Sequence, residues 1–173
     1  MTYRHNYRGV WVRREYIDGD PCCDFAIPND ANAALPFNMV DRNWEDRCDV
    51  SDPNMIVIGP GIHLILPFGQ VVWDANPSGL RQSVFWLNGW FPHDGYGGCA
   101  NQMAVTNTTT DYPCLSGPME VKEGDRLYFV QKQIRMDYPQ GTPVESRPFL
   151  NILGSTGTFW GFHILEWSDL EPQ

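Results

Sequence analysis

The chain has 173 residues, a length that fits one domain with a core of its own. It carries 16 Gly, 14 Pro and 13% aromatic residues but only 19% charged residues, which is typical of short strands joined by turns rather than of helices. The formal net charge of -9 argues against a nucleic-acid partner, because binding to phosphates requires clustered cations. No apolar run approaches the roughly 20 residues that cross a bilayer, so we expect no membrane partner.

The first 24 residues, "MTYRHNYRGVWVRREYIDGDPCCD", are predicted to form an N-terminal arm. Arginines precede the first acid, Glu15, and are interleaved with aromatic residues. Arginine forks and aromatic rings suit a clasp on an acidic partner surface. An additional strand of the same domain is an equally good interpretation. The predicted contact residues of the arm are Tyr3, Arg4, Tyr7, Arg8, Trp11, Arg13 and Arg14.

Residues 25–173 are predicted to form one antiparallel all-β domain, because turn-forming residues divide them into about eight to ten short strands. In chain order the main predicted strands are "MIVIGPG", "IHLILPFGQVVWDA", "LRQSVFWLNG", "NQMAVTNT", "RLYFVQKQI", "FLNILG" and "TFWGFHILEW". Pro67 and Gly69 predict a bulge or bend in the second of them, and Asn88-Gly89 predicts a hairpin turn. Such a series indicates two packed sheets or a barrel.

Two of these strands are apolar on both faces. The two faces of the last strand consist of Trp160, Phe162 and Ile164 on one side and Phe159, Gly161, His163 and Leu165 on the other. The strand "RLYFVQKQI" alternates in the same way, with Leu127 and Phe129 against Tyr128 and Val130. Because a sandwich strand normally keeps one face in water, the second apolar face indicates an interface with copies of the same chain. We expect both strands to lie in one sheet that faces the neighbouring copies. A closed trimer suits such a sheet, and a dimer is the alternative.

Four segments in one order carry a resemblance to a known family. They are "IPNDANAALPF", "GIHLILPFGQVVWDANPSGLRQSVFWLNG", "VKEGDRLYFVQKQ" and "GTFWGFHILEW". Together they resemble the tumour-necrosis-factor-like jelly roll, the fold of the complement globular head, and its phage and bacterial members in particular. The resemblance covers Phe25 to Trp167, most of the chain. It implies an antiparallel jelly-roll sandwich of about ten strands that forms a homotrimer about a threefold axis.

The resemblance also implies which side chains face the partners. The implied trimer-interface residues are Tyr128, Val130, Phe159, Gly161, His163 and Leu165. The implied core residues on the same two strands are Leu127, Phe129, Trp160, Phe162 and Ile164. Three copies of His163 would then meet near the axis, which predicts a trimer that loosens at about pH 6.

No catalytic, cofactor or metal site is predicted. The histidines form no H-x-H or H-E-x-x-H pattern, and the nucleophile-elbow, phosphate-loop and dinucleotide signatures are absent. The acidic stretch from Asp41 to Asp52 lacks the spacing of a calcium loop, and solvated charges are the simpler interpretation. Cys99 and Cys114 flank one loop and would form a disulfide only after exposure to an oxidising medium.

The segment "WFPHDGYGG" is a candidate ligand loop. Exposed aromatic rings beside a carboxylate can stack on sugars or grip a protein rim. The alternative is a loop that packs over the edge of the sandwich. Its candidate residues are Trp90, Phe91, His93, Asp94 and Tyr96.

These features together predict a non-enzymatic structural virion protein. We expect a homotrimeric phage capsid decoration or cement protein that is made in the host cytoplasm and binds the major capsid protein on the head surface. The absence of a stalk or shaft, the compact length and the predicted arm favour this hypothesis. The alternative is the head domain of a tail fibre that binds a receptor or a host glycan through the candidate ligand loop.

Overall fold

A computed structural model of the chain describes residues 8–15, 24–28, 31–75, 80–89, 99–103, 110–134, 139–143, 150–155 and 157–169. Only the backbone is described at residues 99–103, 110 and 112. The strands are β1 (Gly9–Arg13), β2 (Phe25–Ile27), β3 (Asn32–Ala34), β4 (Met39–Asn43), β5 (Ile56–Val57), β6 (Ile62–Trp73), β7 (Leu80–Leu87), β8 (Cys99–Met103), β9 (Thr110–Leu115), β10 (Met119–Glu120), β11 (Arg126–Ile134), β12 (Leu150–Ile152) and β13 (Phe159–Trp167). A single 3-10 turn, Trp44–Asp46, lies between β4 and β5. Within these ranges there is no helix of the length and apolarity that a membrane crossing requires.

The strands form two antiparallel sheets. The eight-stranded sheet has the order β2-β12-β6-β13-β1-β4, and β9 and β10 also pair with β6. The five-stranded sheet has the order β3-β11-β7-β8, and β5 also pairs with β11. The predicted all-β antiparallel sandwich is therefore confirmed. The strand count exceeds the expected ten because β2, β3, β5, β10 and β12 are only two or three residues long.

The core lies between the two sheets. The rings of Phe85 and Phe129 stack with their centroids 4.5 Å apart, and Trp160 lies 6.2 Å from Phe129. Burying such a side chain stabilises the fold by about 1.5–3 kcal/mol relative to leaving it in water. The predicted core residues are all buried, namely Leu127, Phe129, Trp160, Phe162 and Ile164. One apolar face of β11 and one of β13 are thus accounted for.

The central strand β6 runs for twelve residues. Its pairing with β13 is regular at Pro67 and Gly69, where we expected a bulge or bend. On its other edge Phe68 pairs with Leu115 of β9 and Ile65 with Met119 of β10, so the partner segment has one residue more beside Pro67. Gly69 has a packing role. A Cβ atom at this position would lie 2.9 Å from the ring of Phe129 and 3.0 Å from the Cβ atom of Trp160. Its missing side chain lets both aromatic residues approach the backbone of β6.

The boundary at residue 24 is wrong, since β1 belongs to the domain. It lies inside the eight-stranded sheet, where Gly9–Arg13 pairs with β13 on one side and with β4 on the other. Val10 and Val12 point into the core and are completely buried. Of the two interpretations of this segment, the structure of residues 9–13 agrees with the additional strand of the same domain. Residues 1–7 and 16–23 lie outside the described part of the chain.

Candidate functional site

Four partly buried rings form a cluster on the outer side of the eight-stranded sheet, the side turned away from the core. We call this surface the aromatic face and define it by Trp11, Phe68, Phe159 and His163. Phe68 is at its centre. Its ring centroid lies 4.6 Å from His163, 6.3 Å from Trp11 and 6.3 Å from Phe159. The cluster therefore joins three neighbouring strands into one apolar surface.

Strand register brings these residues together. One row of paired residues crosses four neighbouring strands. It consists of Trp11 in β1, Gly161 in β13, Phe68 in β6 and Leu115 in β9. Side chains in such a row point to the same side of the sheet. The neighbouring residues Val10, Val12, Trp160 and Phe162 point the other way, into the core. Successive side chains of β1 and β13 thus point alternately into the core and to the aromatic face.

Gly161 is the gap in this row. A Cβ atom here would lie 2.6 Å from the Cα atom and 2.7 Å from the Cβ atom of Trp11. These distances are too short for any real side chain, so only glycine fits between β1 and β13 at this point. Trp11 can then reach across the position of Gly161 and contact Phe68 edge to face.

Apolar side chains extend the aromatic face toward water. Leu115 continues the row of Phe68 and is 67% exposed, and Leu165 near the end of β13 is 41% exposed. Large aliphatic side chains on a soluble protein are rarely so exposed within an apolar patch, and patches of this kind mark interaction surfaces.

His163 is the titratable group of the aromatic face. Burial against its neighbours lowers the pKa of its imidazole from the ordinary value of 6.5. Its ring is tilted 33° against that of Phe68. Because burial penalises the charged form, a protonated His163 is less favourable on this surface than in water.

Charged side chains border the aromatic face on the side of β4. Arg13 forms ion pairs with Glu15 at 3.0 Å and Asp41 at 3.1 Å, and the guanidinium of Arg42 lies 5.8 Å from the ring of Trp11. Partly exposed pairs of this kind contribute about 0–1 kcal/mol each. An apolar centre with a polar rim is the usual anatomy of a protein interface.

The predicted trimer-interface residues fall into two groups. Phe159, Gly161, His163 and Leu165 belong to β13 in the eight-stranded sheet, whereas Tyr128 and Val130 belong to β11 in the five-stranded sheet. The expectation that one sheet carries both groups is therefore wrong. Tyr128 pairs with Trp86 and Val130 with Ala34, all within the second sheet. Both strands do have two apolar faces, but these outer faces lie on opposite sides of the sandwich.

The predicted arm residues that the structure describes contact their own domain. Arg8 stacks on Trp167, Arg13 pairs with Asp41, and the guanidinium of Arg14 donates to the carbonyl oxygen of Pro36. Trp11 is part of the aromatic face. Tyr3, Arg4 and Tyr7 lie outside the described residues.

The candidate ligand loop, with Trp90, Phe91, His93, Asp94 and Tyr96, also lies outside the described residues. Elsewhere, the described His, Cys, Asp and Glu side chains include no group of three that could hold a metal ion. The side chain of Cys99, which would form a disulfide with Cys114 only in an oxidising medium, lies outside the described part of the structure, and Cys114 is buried. Its Sγ atom lies 3.6 Å from the carbonyl oxygen of Ser83.

Phe68 and Leu115 are residues of the aromatic face that the sequence did not predict. A signal for Phe68 was present, because "IHLILPFGQVVW" is apolar at both odd and even positions, as in β13. The sequence around Leu115 contains no such apolar pattern. Its strand, "TDYPCL", contains a proline and is mostly polar, so its position beside Phe68 depends on long-range pairing.

Comparisons with known proteins identify the fold. No family model matches the chain, and no curated protein matches it. Among solved structures, the chain is similar to the Eiger TNF of S. frugiperda, with a TM-score of 0.54 and 12% identity over 96% of this chain and 98% of that one. Murine APRIL at pH 8.5 has a TM-score of 0.54 and 11% identity over 92% of this chain and 99% of its own.

The globular domain of zebrafish complement 1qA protein has a TM-score of 0.50 and 6% identity over 94% of this chain and 99% of its own. The chain therefore has the TNF-like jelly-roll fold that the resemblance implied. At these identities the likeness concerns the fold alone.

Proposed function

We propose that the chain assembles into a homotrimer through the aromatic face and acts as a non-catalytic structural protein, a decoration or cement protein on a phage head. The observation that carries the proposal is the contiguous apolar surface formed by Trp11, Phe68, Phe159 and His163, continued by the exposed Leu115. A single chain leaves this surface in contact with water.

Energetics favour covering this surface. Completing the burial of a large apolar side chain is worth up to about 1.5–3 kcal/mol. Association costs about 4–15 kcal/mol in lost translational and rotational freedom, so several side chains must be covered together. Each protomer of a trimer contributes the whole cluster, and a closed ring about a threefold axis buries three copies of it without leaving one uncovered.

Symmetry and the placement of the two sheets support the proposed role on a capsid. A trimer closed through the eight-stranded sheets leaves the five-stranded sheets on its outside. Threefold positions of a capsid lattice match the symmetry of such a trimer, so the three chains can make identical contacts there. Arg8, Arg13 and Arg14 make contacts within their own domain, and Trp11 belongs to the aromatic face, so we do not assign these four residues to the capsid contact. Tyr3, Arg4 and Tyr7 remain candidate contacts.

Light scattering and native mass spectrometry on the purified chain test the assembly. We expect a trimer at micromolar concentration. Leu115→Glu places a charge in the aromatic face and should shift the mass toward the monomer while the circular dichroism spectrum stays that of a β-protein. Gln140→Glu changes the charge by the same amount at an exposed turn and should leave the trimer intact. A monomeric wild-type protein at that concentration contradicts the proposal.

Binding to capsids tests the role. Phage capsids stripped of accessory proteins should take up the protein in a saturable manner and in multiples of three chains. Leu115→Glu should bind much more weakly, because a monomer makes one capsid contact instead of three. Retention of the trimer without any uptake would support the assembly and refute the capsid role.

A further inference from the structure

The outer side of the five-stranded sheet contains a groove that has no part in the proposed assembly. Its volume is about 300 Å³, at the lower end of the range for small-molecule sites. Three strands and one turn contribute to it. The residues that line it are Asn32, Ala34, Trp86, Gly89, Tyr128 and Val130.

Register and residue size explain the groove. Tyr128 lies opposite Trp86, and Val130 lies opposite Ala34, so two aromatic rings stand beside a row of small side chains. Gly89 adopts a left-handed backbone conformation with φ of 73° and adds no side chain at the end of β7. Val130 is only 2% exposed although it points away from the core, so it forms an apolar floor. Tyr128 and Trp86 form a partly exposed aromatic wall.

We propose that this groove binds a neutral sugar ring. A pyranose has a face of C–H groups that packs on aromatic rings and an edge of hydroxyl groups that form hydrogen bonds. The apolar floor of Val130 and Ala34 and the aromatic wall of Trp86 and Tyr128 can pack against the C–H face of the sugar. The amide of Asn32 and the hydroxyl of Tyr128 can donate to and accept from the edge. The described lining includes no charged side chain, so an ionic ligand would find no counter-charge there.

The proposed assembly does not involve the groove. It lies on the five-stranded sheet, and the aromatic face lies on the opposite side of the sandwich. The sugar site therefore does not depend on the proposed trimer. If the trimer forms, it displays three such grooves, and a polymer of the same sugar would bind with higher avidity than a single unit.

The test uses methyl pyranosides of glucose, galactose, mannose and N-acetylglucosamine, added at low-millimolar concentration to the full chain. Saturation-transfer NMR and titration calorimetry report binding. We expect at least one of them to bind in the millimolar range. Ala34→Phe fills the floor and Tyr128→Ala removes the wall, and each should weaken binding by about tenfold or more. Asn32→Ala should do the same without changing the aromatic wall.

Two controls separate the outcomes. Lys132→Ala changes a side chain two residues along β11 from Val130 that is not among the described lining residues, and it should leave affinity unchanged. Leu115→Glu should also leave the affinity for a single sugar unchanged while it lowers the assembly mass. The circular dichroism spectrum and thermal midpoint of each variant check its folding. No binding by any of the four sugars, binding that Ala34→Phe and Asn32→Ala leave unchanged, or capture of apolar peptides alone would overturn the inference.

Discussion

Trp11 and Phe68 meet edge to face across Gly161, with their ring centroids 6.3 Å apart and their planes at 69°. The two residues are separated by 57 positions in the chain, and the intervening strand β13 carries no side chain at the crossing point. The contact depends on this gap, because any side chain at residue 161 would occupy the space that Trp11 crosses. The aromatic face and the pairing of β1 with β13 thus both require glycine at position 161.

Gly161→Ala should destabilise the fold. The added methyl group must push β1 away from β13, and overpacking of this kind costs about 1–3 kcal/mol. Denaturant unfolding at matched protein concentration measures the change. Gly117→Ala is the matched control, since an added Cβ atom there would meet no described atom within 4 Å. It should be neutral or stabilising by up to about 1 kcal/mol. Equal unfolding midpoints for the two variants would contradict this account of Gly161.

Arg8, the first described residue, contacts the last strand, β13. Its guanidinium carbon lies 3.6 Å from the ring centroid of Trp167, and its carbonyl oxygen accepts a hydrogen bond from the backbone N–H of Ile164. Arg8→Ala should lower the free energy of unfolding by about 1 kcal/mol through loss of the cation–π contact. Urea unfolding checks the value. Trp167→Leu should remove most of the effect of the arginine in a double-mutant cycle, since the ring of Trp44 lies farther from the guanidinium, at 5.5 Å. Arg126→Ala, at an exposed position, should change stability by less than about 0.5 kcal/mol.

The fold class and much of the core could be predicted from local patterns. Alternation along β13 separated Trp160, Phe162 and Ile164 from Phe159 and His163 correctly, since a strand turns successive side chains to opposite sides whatever its partners are. The Asn88-Gly89 signal was also informative. Asn88 and Gly89 have positive φ, 59° and 73°, as such a turn requires, but they do not close a two-residue hairpin, because the described pairing of β7 with β8 begins at Val84 and Cys99.

The placement of strands in sheets could not be predicted in the same way. The outer faces of β11 and β13 are both apolar, and the sequence contains no local mark of which sheet each joins. Tyr128 and Val130 therefore looked like parts of one surface with Phe159, although they line a groove on the other sheet. Likewise, the side-chain oxygen of Asn88 accepts from the N–H of Arg126, which ties the turn to β11. Such contacts depend on long-range pairing.

The misassignment of β1 has a different physical cause. "GVWVR" has the alternation of a strand, with Val10 and Val12 on one side and Trp11 and Arg13 on the other. The arginines around it suggested a cationic arm for a partner. Within the fold these arginines form ion pairs with, or stack on, side chains of the same domain. Arg13, for example, forms an ion pair with Asp41. Composition gives the number of charges and does not show whether they contact the same chain, a partner or water.

Cys48 should be unreactive in the folded protein. Burial raises the pKa of its thiol to about 11, and only 5% of the residue is exposed. At mildly alkaline pH the side chain is therefore a neutral thiol, whereas it is the thiolate that attacks alkylating reagents and displaces their leaving group. Iodoacetamide labelling followed by peptide mass spectrometry should find Cys48 unmodified in the native protein and modified in denaturant. Rapid native labelling at this residue would show that the segment around it opens.

Acidification should weaken the protein through His163. Burial holds the pKa of this imidazole in the folded state below its ordinary value of 6.5, which the unfolded chain retains. As the pH falls below 6.5, the unfolded chain binds a proton more readily than the folded chain does. The free energy of unfolding therefore decreases until the pH passes the folded-state pKa, and then it levels off.

Denaturant unfolding at several pH values between about 7 and 5 measures this effect, in a range that lies above the titration of most carboxylates. His163→Gln should remove a large part of the decrease. His63→Gln is the control, because His63 is exposed and its ring nitrogen Nε2 pairs with the hydroxyl of Ser168 at 2.9 Å. If the trimer forms, its dissociation should follow the same pH dependence, since assembly buries His163 further. A stability that rises on acidification, or that falls equally in His163→Gln, would exclude His163 as the cause.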